Sequence, residues 1–227
     1  MASKRINYLL VMGHMRSRSS LLTHILLSHP TMIGLGESNA IYESNLKLLY
    51  MKSKTLLKNK SINFFKKVYV DQINHNSKTP NPKIFQKKNL KVIILTRPPD
   101  ASVASIMTLT KKHYTPWSDE KSKKYYYDRM SYLIQLKEKL SDDQCLVINS
   151  DELVSTPSVI LNQIGEFLDM STPLKSEYET FNFTGISGDP SANIKEGKII
   201  NNSNYIDPDT SKYPQEYKLF NELIQMQ

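Results

Sequence analysis

One cysteine, one tryptophan and seven glycines in 227 residues remove several kinds of protein from consideration. The lone Cys145 has no partner for an intramolecular disulfide, and its setting, QCLVIN, reads as a buried thiol in a cytoplasmic chain. No apolar run approaches the length of a membrane span, and residues 1–7 lack the apolar core of a signal peptide. Carboxylates are not clustered, and no His/Cys set shows metal-ligand spacing, so no resident metal is expected. Acidic residues are in deficit, which leaves a formal net charge of +8. That surplus steers anions, whether a nucleotide or a nucleic acid. What the chain does have is enough apolar sequence, 39%, arranged in distinct runs, to form a substantial core. The length predicts one domain over residues 1–227.

Short runs rich in Val, Ile and Leu at residues 8–12, 32–34, 91–96 and 145–149 read as buried parallel strands. Helical patterns lie between and after them, over residues 21–28, 43–58, 63–74, 101–111, 121–140 and 157–168. This alternation predicts an α/β, three-layer sandwich with a central, mostly parallel sheet. The basic segment 52–60 reads as an exposed helix end or loop, and from residue 171 onward the pattern weakens. Gly, Pro, Asn and Asp are spread through residues 184–210, a loop length that usually carries function.

The most informative stretch is YLLVMGHMRSRSSLLTHILLSHP, residues 8–30. A strand breaks at Gly13, passes a basic, hydroxyl-rich turn and becomes a helix with Leu21, Leu22, Ile25 and Leu26 on one face. First-turn N–H groups have no intrahelical acceptor and favour an anion. Arg16, Ser17, Arg18, Ser19 and Ser20 add donors at the same place, and His14 lies within the turn. The turn is P-loop-like without being a Walker motif, because Arg18 stands at the second glycine and Ser19 at the lysine. A second anion site follows the strand that ends at Thr96. Arg97, two prolines and the helix cap Asp100 place Arg97 and Ser105 at the carboxyl edge of the sheet, where ligands of open α/β folds bind.

GHMRSRSSLL followed by LTRPPDASVAS resembles the two cosubstrate motifs of sulfotransferases that use 3′-phosphoadenosine 5′-phosphosulfate (PAPS). A third segment, GDPSANIKEGKI at residues 188–199, is similar to that family's C-terminal glycine-containing loop. The resemblance runs from residue 8 to about residue 199. It implies that Gly13, His14, Arg16, Ser17, Arg18, Ser19, Ser20 and Leu21 form the phosphosulfate-binding turn. Arg97 and Ser105, eight residues apart, would then hold the 3′-phosphate, with Lys195, Gly197 and Lys198 closing over it. Two positions depart from the family. Arg16 stands where a lysine is common, and Arg18 replaces the usual loop glycine, which leaves the direction of the Arg18 side chain open.

Sulfuryl transfer needs in-line approach of the acceptor, charge stabilisation and a base. Arg16 is the candidate for leaving-oxygen stabilisation. Glu37, in MIGLGESNA, is the first candidate base, and the resemblance implies the same role, since bacterial members often carry a glycine-glutamate pair there. His75, in DQINHN, is the second. His24 and His29 read as structural, and His113, Tyr114 and Trp117 as candidates for an acceptor pocket. The expected activity is transfer from PAPS to a hydroxyl or amine of a small molecule, releasing adenosine 3′,5′-bisphosphate (PAP). Family members from cyanobacterial natural-product pathways suggest such a product as acceptor, a guanidinium alkaloid toxin among them. The partners expected are the acceptor alone, with no nucleic acid and no membrane, for a monomer or homodimer. A P-loop kinase would instead need a Walker lysine and an acidic magnesium ligand where Leu95-Thr96-Arg97 stands. A nucleic-acid module would need basic and aromatic residues together on one element, and only KSKKYYY at residues 121–127 resembles this.

Overall fold

A computed structural model describes residues 6–58, 67–186, 189–201 and 209–227. Among these residues, five strands form one sheet: β1 (Tyr8–Gly13), β2 (Met32–Gly34), β3 (Val68–Ile73), β4 (Leu90–Thr96) and β5 (Cys145–Asn149). They lie in the order β2-β3-β1-β4-β5, and every neighbouring pair is parallel. Seven α-helices among the described residues accompany them: α1 (Ser19–Leu27), α2 (Asn45–Lys58), α3 (Pro99–His113), α4 (Asp119–Lys137), α5 (Ser150–Ser155), α6 (Pro157–Phe167) and α7 (Pro214–Gln225).

Strand side chains alternate between faces, so the sheet feeds two cores. Leu10, Met12, Val92 and Ile94 pack with Leu48 of α2, Val103 of α3, Met130 of α4 and Phe220 of α7. Leu9, Val11, Ile93 and Leu95 pack with Leu22 and Ile25 of α1 and Ile160 and Ile164 of α6. All six residues of β1 are buried, which explains its unbroken apolar run. Each fully buried Leu, Ile or Val contributes about 1.5–3 kcal/mol, so the middle strands anchor the sheet. The expected three-layer α/β sandwich is the observed one.

Three expectations are corrected. Residues 63–74 read as a helix, but Val68–Ile73 is strand β3, and residues 63–66 lie outside the described residues. Asp71 disguised this strand by interrupting its apolar pattern. It is 1% exposed and accepts hydrogen bonds from Ser38 N, at 3.1 Å, Ser38 Oγ, at 2.6 Å, and Tyr42 Oη. The segment expected to be an exposed lysine stretch begins with Lys52, which is buried inside α2, its ammonium 5.3 Å from the centre of the Tyr8 ring. The C-terminal region, expected to lack pattern, forms α7, where Tyr217, Phe220 and Leu223 face the core.

Candidate active site

The carboxyl ends of β1, β3 and β4 point to one edge, and a cavity of about 940 Å³ opens there. Its floor is the β1–α1 turn, whose Arg16 and Arg18 have left-handed φ values of 66° and 61°. Two left-handed residues this close together curl the turn tightly, and Ser17 N closes it by donating to the His14 carbonyl at 3.2 Å. Arg18 is the N-cap of α1 and makes no side-chain cap bond, and the first turn holds no acidic residue. The positive end of α1 is therefore left for an external anion. Gly13 is required beneath the turn, since a Cβ there would come 2.4 Å from Ser17 Oγ and 2.9 Å from the Leu95 carbonyl.

The sequence-derived residues divide by position. Arg16, Arg18, Ser19, Ser20, Leu21, Glu37, His75, Arg97 and Lys198 line the cavity, as do Tyr114 and Trp117. Arg16 reaches across it, donating from Nε to Ser105 Oγ at 2.8 Å and from Nη1 to Asp189 at 2.7 Å. That contact joins the first anion turn, the second anion motif and the closing loop. Gly197, at φ 69°, turns the closing loop, and its carbonyl accepts from Tyr178 N at 2.7 Å. Lys195 is exposed and lies over Gly185 instead of lining the cavity. Gly188 falls outside the described residues, and His113 is exposed and not part of the lining.

His14 departs from the ligand contact expected of it. It is fully buried beneath the turn. Its Nε2 accepts from Arg97 N at 3.2 Å, so the proton sits on Nδ1, which donates to the Met15 carbonyl at 2.8 Å. Burial holds its pKa down to about 4, helped by the nearby Arg97 and Arg129 charges. His14 is a neutral strut between the two anion motifs. Behind the turn, Ser17 Oγ is buried without a hydrogen-bond partner. Polar atoms left this way are costly unless something satisfies them.

The base candidates face the cavity from the β2 and β3 ends. Burial pushes the Glu37 carboxyl up to about 7, and the Asp71 charge adds to this against a hydrogen bond from Asn74. Gln72 Nε2 lies 3.4 Å from Glu37 Oε2. The His75 imidazole is held below its usual range by burial and by Arg129 and Lys78. It sits against Tyr125, which in turn meets Trp117, each pair of ring centres 5.7 Å apart.

Four supporting residues escaped the sequence reading. Arg129 of α4 is fully buried and donates to the Gly13 carbonyl at 2.7 Å and the Ile73 carbonyl at 2.6 Å, pinning the ends of β1 and β3. Tyr125 Oη donates to the Asn74 carbonyl at 2.7 Å and accepts from Met15 N at 2.8 Å. Asp151, at the start of α5, pairs with Arg18 and lies 3.5 Å from Arg97 Nε, within ion-pair range but without hydrogen-bond geometry. Asp189 pairs with Arg16. Burial would raise its carboxyl, but Arg16 and Ser191 outweigh that and hold it low. Among the described residues no group of three or more His, Cys, Asp or Glu side chains is placed to hold a metal.

Residues 87–173 match the model of the sulfotransferase family. The chain's fold resembles that of a sulfotransferase domain from the curacin biosynthetic pathway, at 14% identity and TM-score 0.63, covering 97% of this chain and 99% of that one. It also resembles the sulfotransferase domain of a Synechococcus olefin synthase, at 16% identity and TM-score 0.65, covering 96% and 95%. A mouse sulfotransferase solved with PAP matches at 14% identity and TM-score 0.52, over 74% of this chain and 60% of that one. No curated protein matches the chain. The resemblance drawn from the three motifs is borne out: residues 87–173 match the sulfotransferase family model, and the fold is that of the sulfotransferase domains above.

Proposed function

We propose that the chain transfers a sulfuryl group from PAPS to a hydroxyl or amine of a small molecule and releases PAP. The observation that carries this reading is convergence. Three guanidiniums (Arg16, Arg18, Arg97) and the uncapped start of α1 face one cavity, whose other wall presents Glu37 and His75. Ser17 Oγ, buried and unpartnered behind the turn, fits a loop that tightens on an anion. In the reaction the acceptor oxygen or nitrogen bonds to sulfur as the bond from sulfur to the 5′-phosphate oxygen breaks. Arg16 and the α1 N–H groups stabilise charge on the leaving oxygen. Glu37 takes the acceptor's proton, with His75 as the competing base. Arg16 stays charged throughout, so it stabilises without donating a proton.

His75 and Trp117 in the cavity wall, with Tyr125 packed against both, support an acceptor with a flat or apolar body. Matches to domains from a natural-product pathway and an olefin synthase agree with a natural-product acceptor. A guanidinium acceptor would meet Glu37 as its carboxylate, since Asp189 is held by Arg16. In this reading the 227 residues act as one catalytic domain, as monomer or homodimer, and the buried Cys145 supports a cytoplasmic setting. The turnover test supplies labelled PAPS with an acceptor panel to wild type, Glu37→Gln and His75→Ala. Labelled product and PAP from wild type, lost in Glu37→Gln, are expected. PAP release unchanged in both variants would remove the base assignment.

A further inference from the structure

Arg18 stands where backbone geometry favours glycine, and its side chain does not fold over its own turn. From φ 61° it extends to the start of α5, where Nη1 pairs with Asp151 Oδ1 and lies 3.4 Å from Ser150 Oγ. The same Asp151 oxygen is 3.5 Å from Arg97 Nε. One carboxylate therefore sits between two guanidiniums, one from each anion motif. A third guanidinium, that of Arg16, is held nearby by Ser105 and Asp189.

Resting on the PAPS reading, we infer that Arg18 is a direct ligand of the phosphate held by Arg97. Asp151 occupies both guanidiniums until that phosphate displaces it, and Arg18 thereby sets the preference for a cosubstrate that carries a 3′-phosphate. Three observations support the exchange. Burial and then the Arg18 charge lower the Arg97 guanidinium to about 10, so the two guanidiniums gain from an anion placed between them. The Asp151 side chain is 42% exposed, so it can turn to solvent at little cost, because half-exposed ion pairs contribute little. A phosphate dianion accepts from two planar forks at once, whereas Arg97 Nε finds no hydrogen bond on Asp151.

The test measures dissociation constants of PAP and of adenosine 5′-phosphate, which lacks the 3′-phosphate, by titration calorimetry. Arg18→Gly deletes the side chain while relieving the left-handed backbone, so it should fold at least as well as wild type. It is expected to weaken PAP by about 10-fold or more and adenosine 5′-phosphate by less than about 3-fold. Asp151→Asn is expected to tighten PAP by about 3-fold or more and to leave adenosine 5′-phosphate unchanged. Equal effects of Arg18→Gly on both ligands, or weaker PAP binding in Asp151→Asn, would show a structural strut and overturn the inference. Absence of PAP binding by wild type would instead overturn the PAPS reading, and the inference with it.

Discussion

Burial and the Asp71 charge hold the Glu37 carboxyl at about 7, so at neutral pH it is divided between its acid and base forms. A base must be ionised to act, and the rate at saturating substrate should therefore rise with pH through about 7 and level off above it. If His75 is the base, the rising limb lies below 6.5, because its surroundings lower it. Glu37→Gln should cut kcat by about 10²- to 10⁴-fold and leave PAP affinity nearly unchanged; steady-state rates and calorimetry check the two parts. At this scale the sequence was readable where chemistry is local. Arg16, Arg97, Ser105 and Glu37 follow strand ends at fixed short spacings, and their neighbours announced them. Arg129 was not readable, since it lies 116 residues from the Gly13 carbonyl that it holds. Nor were Asp151 and Asp189, 133 and 173 residues from the arginines they pair with. Only the sheet order brings those residues together.

Between elements, the site depends on keeping the ends of β1 and β3 in register while leaving their N–H groups to a ligand. Arg129 does this from α4: its guanidinium ties two carbonyls, and burial lowers it to about 10. Replacing it with methionine leaves the Gly13 and Ile73 carbonyls buried without those donors. Arg129→Met should lose about 2–4 kcal/mol in urea unfolding and bind PAP more weakly than wild type. Wild-type stability and affinity in that variant would show that the clamp is dispensable. Among elements, β1, β4 and β5 were legible because both their faces are apolar. Strand β3 was hidden by Asp71, whose burial is satisfied by Ser38 and Tyr42 from the segment before α2. Helix α7 was hidden because its apolar face is narrow and its partner, α4, lies far away in sequence.

For the molecule as a whole, His14 and Glu37 drive the pH dependence of stability in opposite directions, with Asp71, raised to about 6 by burial, acting on the same side as Glu37. His14 is lowered to about 4, so below 6.5 the unfolded chain takes a proton that the folded chain refuses, and stability falls as pH drops. Glu37 is raised to about 7, so above 4.5 the unfolded chain ionises first, and stability falls as pH rises towards 7. The two windows overlap and offset each other. Glu37→Gln removes the Glu37 part of the carboxylate side and leaves that of Asp71: the variant should be more stable than wild type at pH 8, by roughly 1–3 kcal/mol. It should also lose stability more steeply between pH 7 and 5, as urea midpoints at each pH would show. The net charge of +8 bears on ligand capture and not on fold, so PAP association should slow as salt rises.

In the proposed reading this cavity takes a phosphosulfate nucleotide and not a metal-bound triphosphate. Calorimetric titration of wild type with PAP, set beside ATP with magnesium, separates the two. One PAP site per chain is expected, at least about 10-fold tighter than magnesium-ATP and unchanged when the metal is chelated. Tighter binding of magnesium-ATP, or no PAP binding at concentrations that saturate the nucleotide sites of such enzymes, would contradict it.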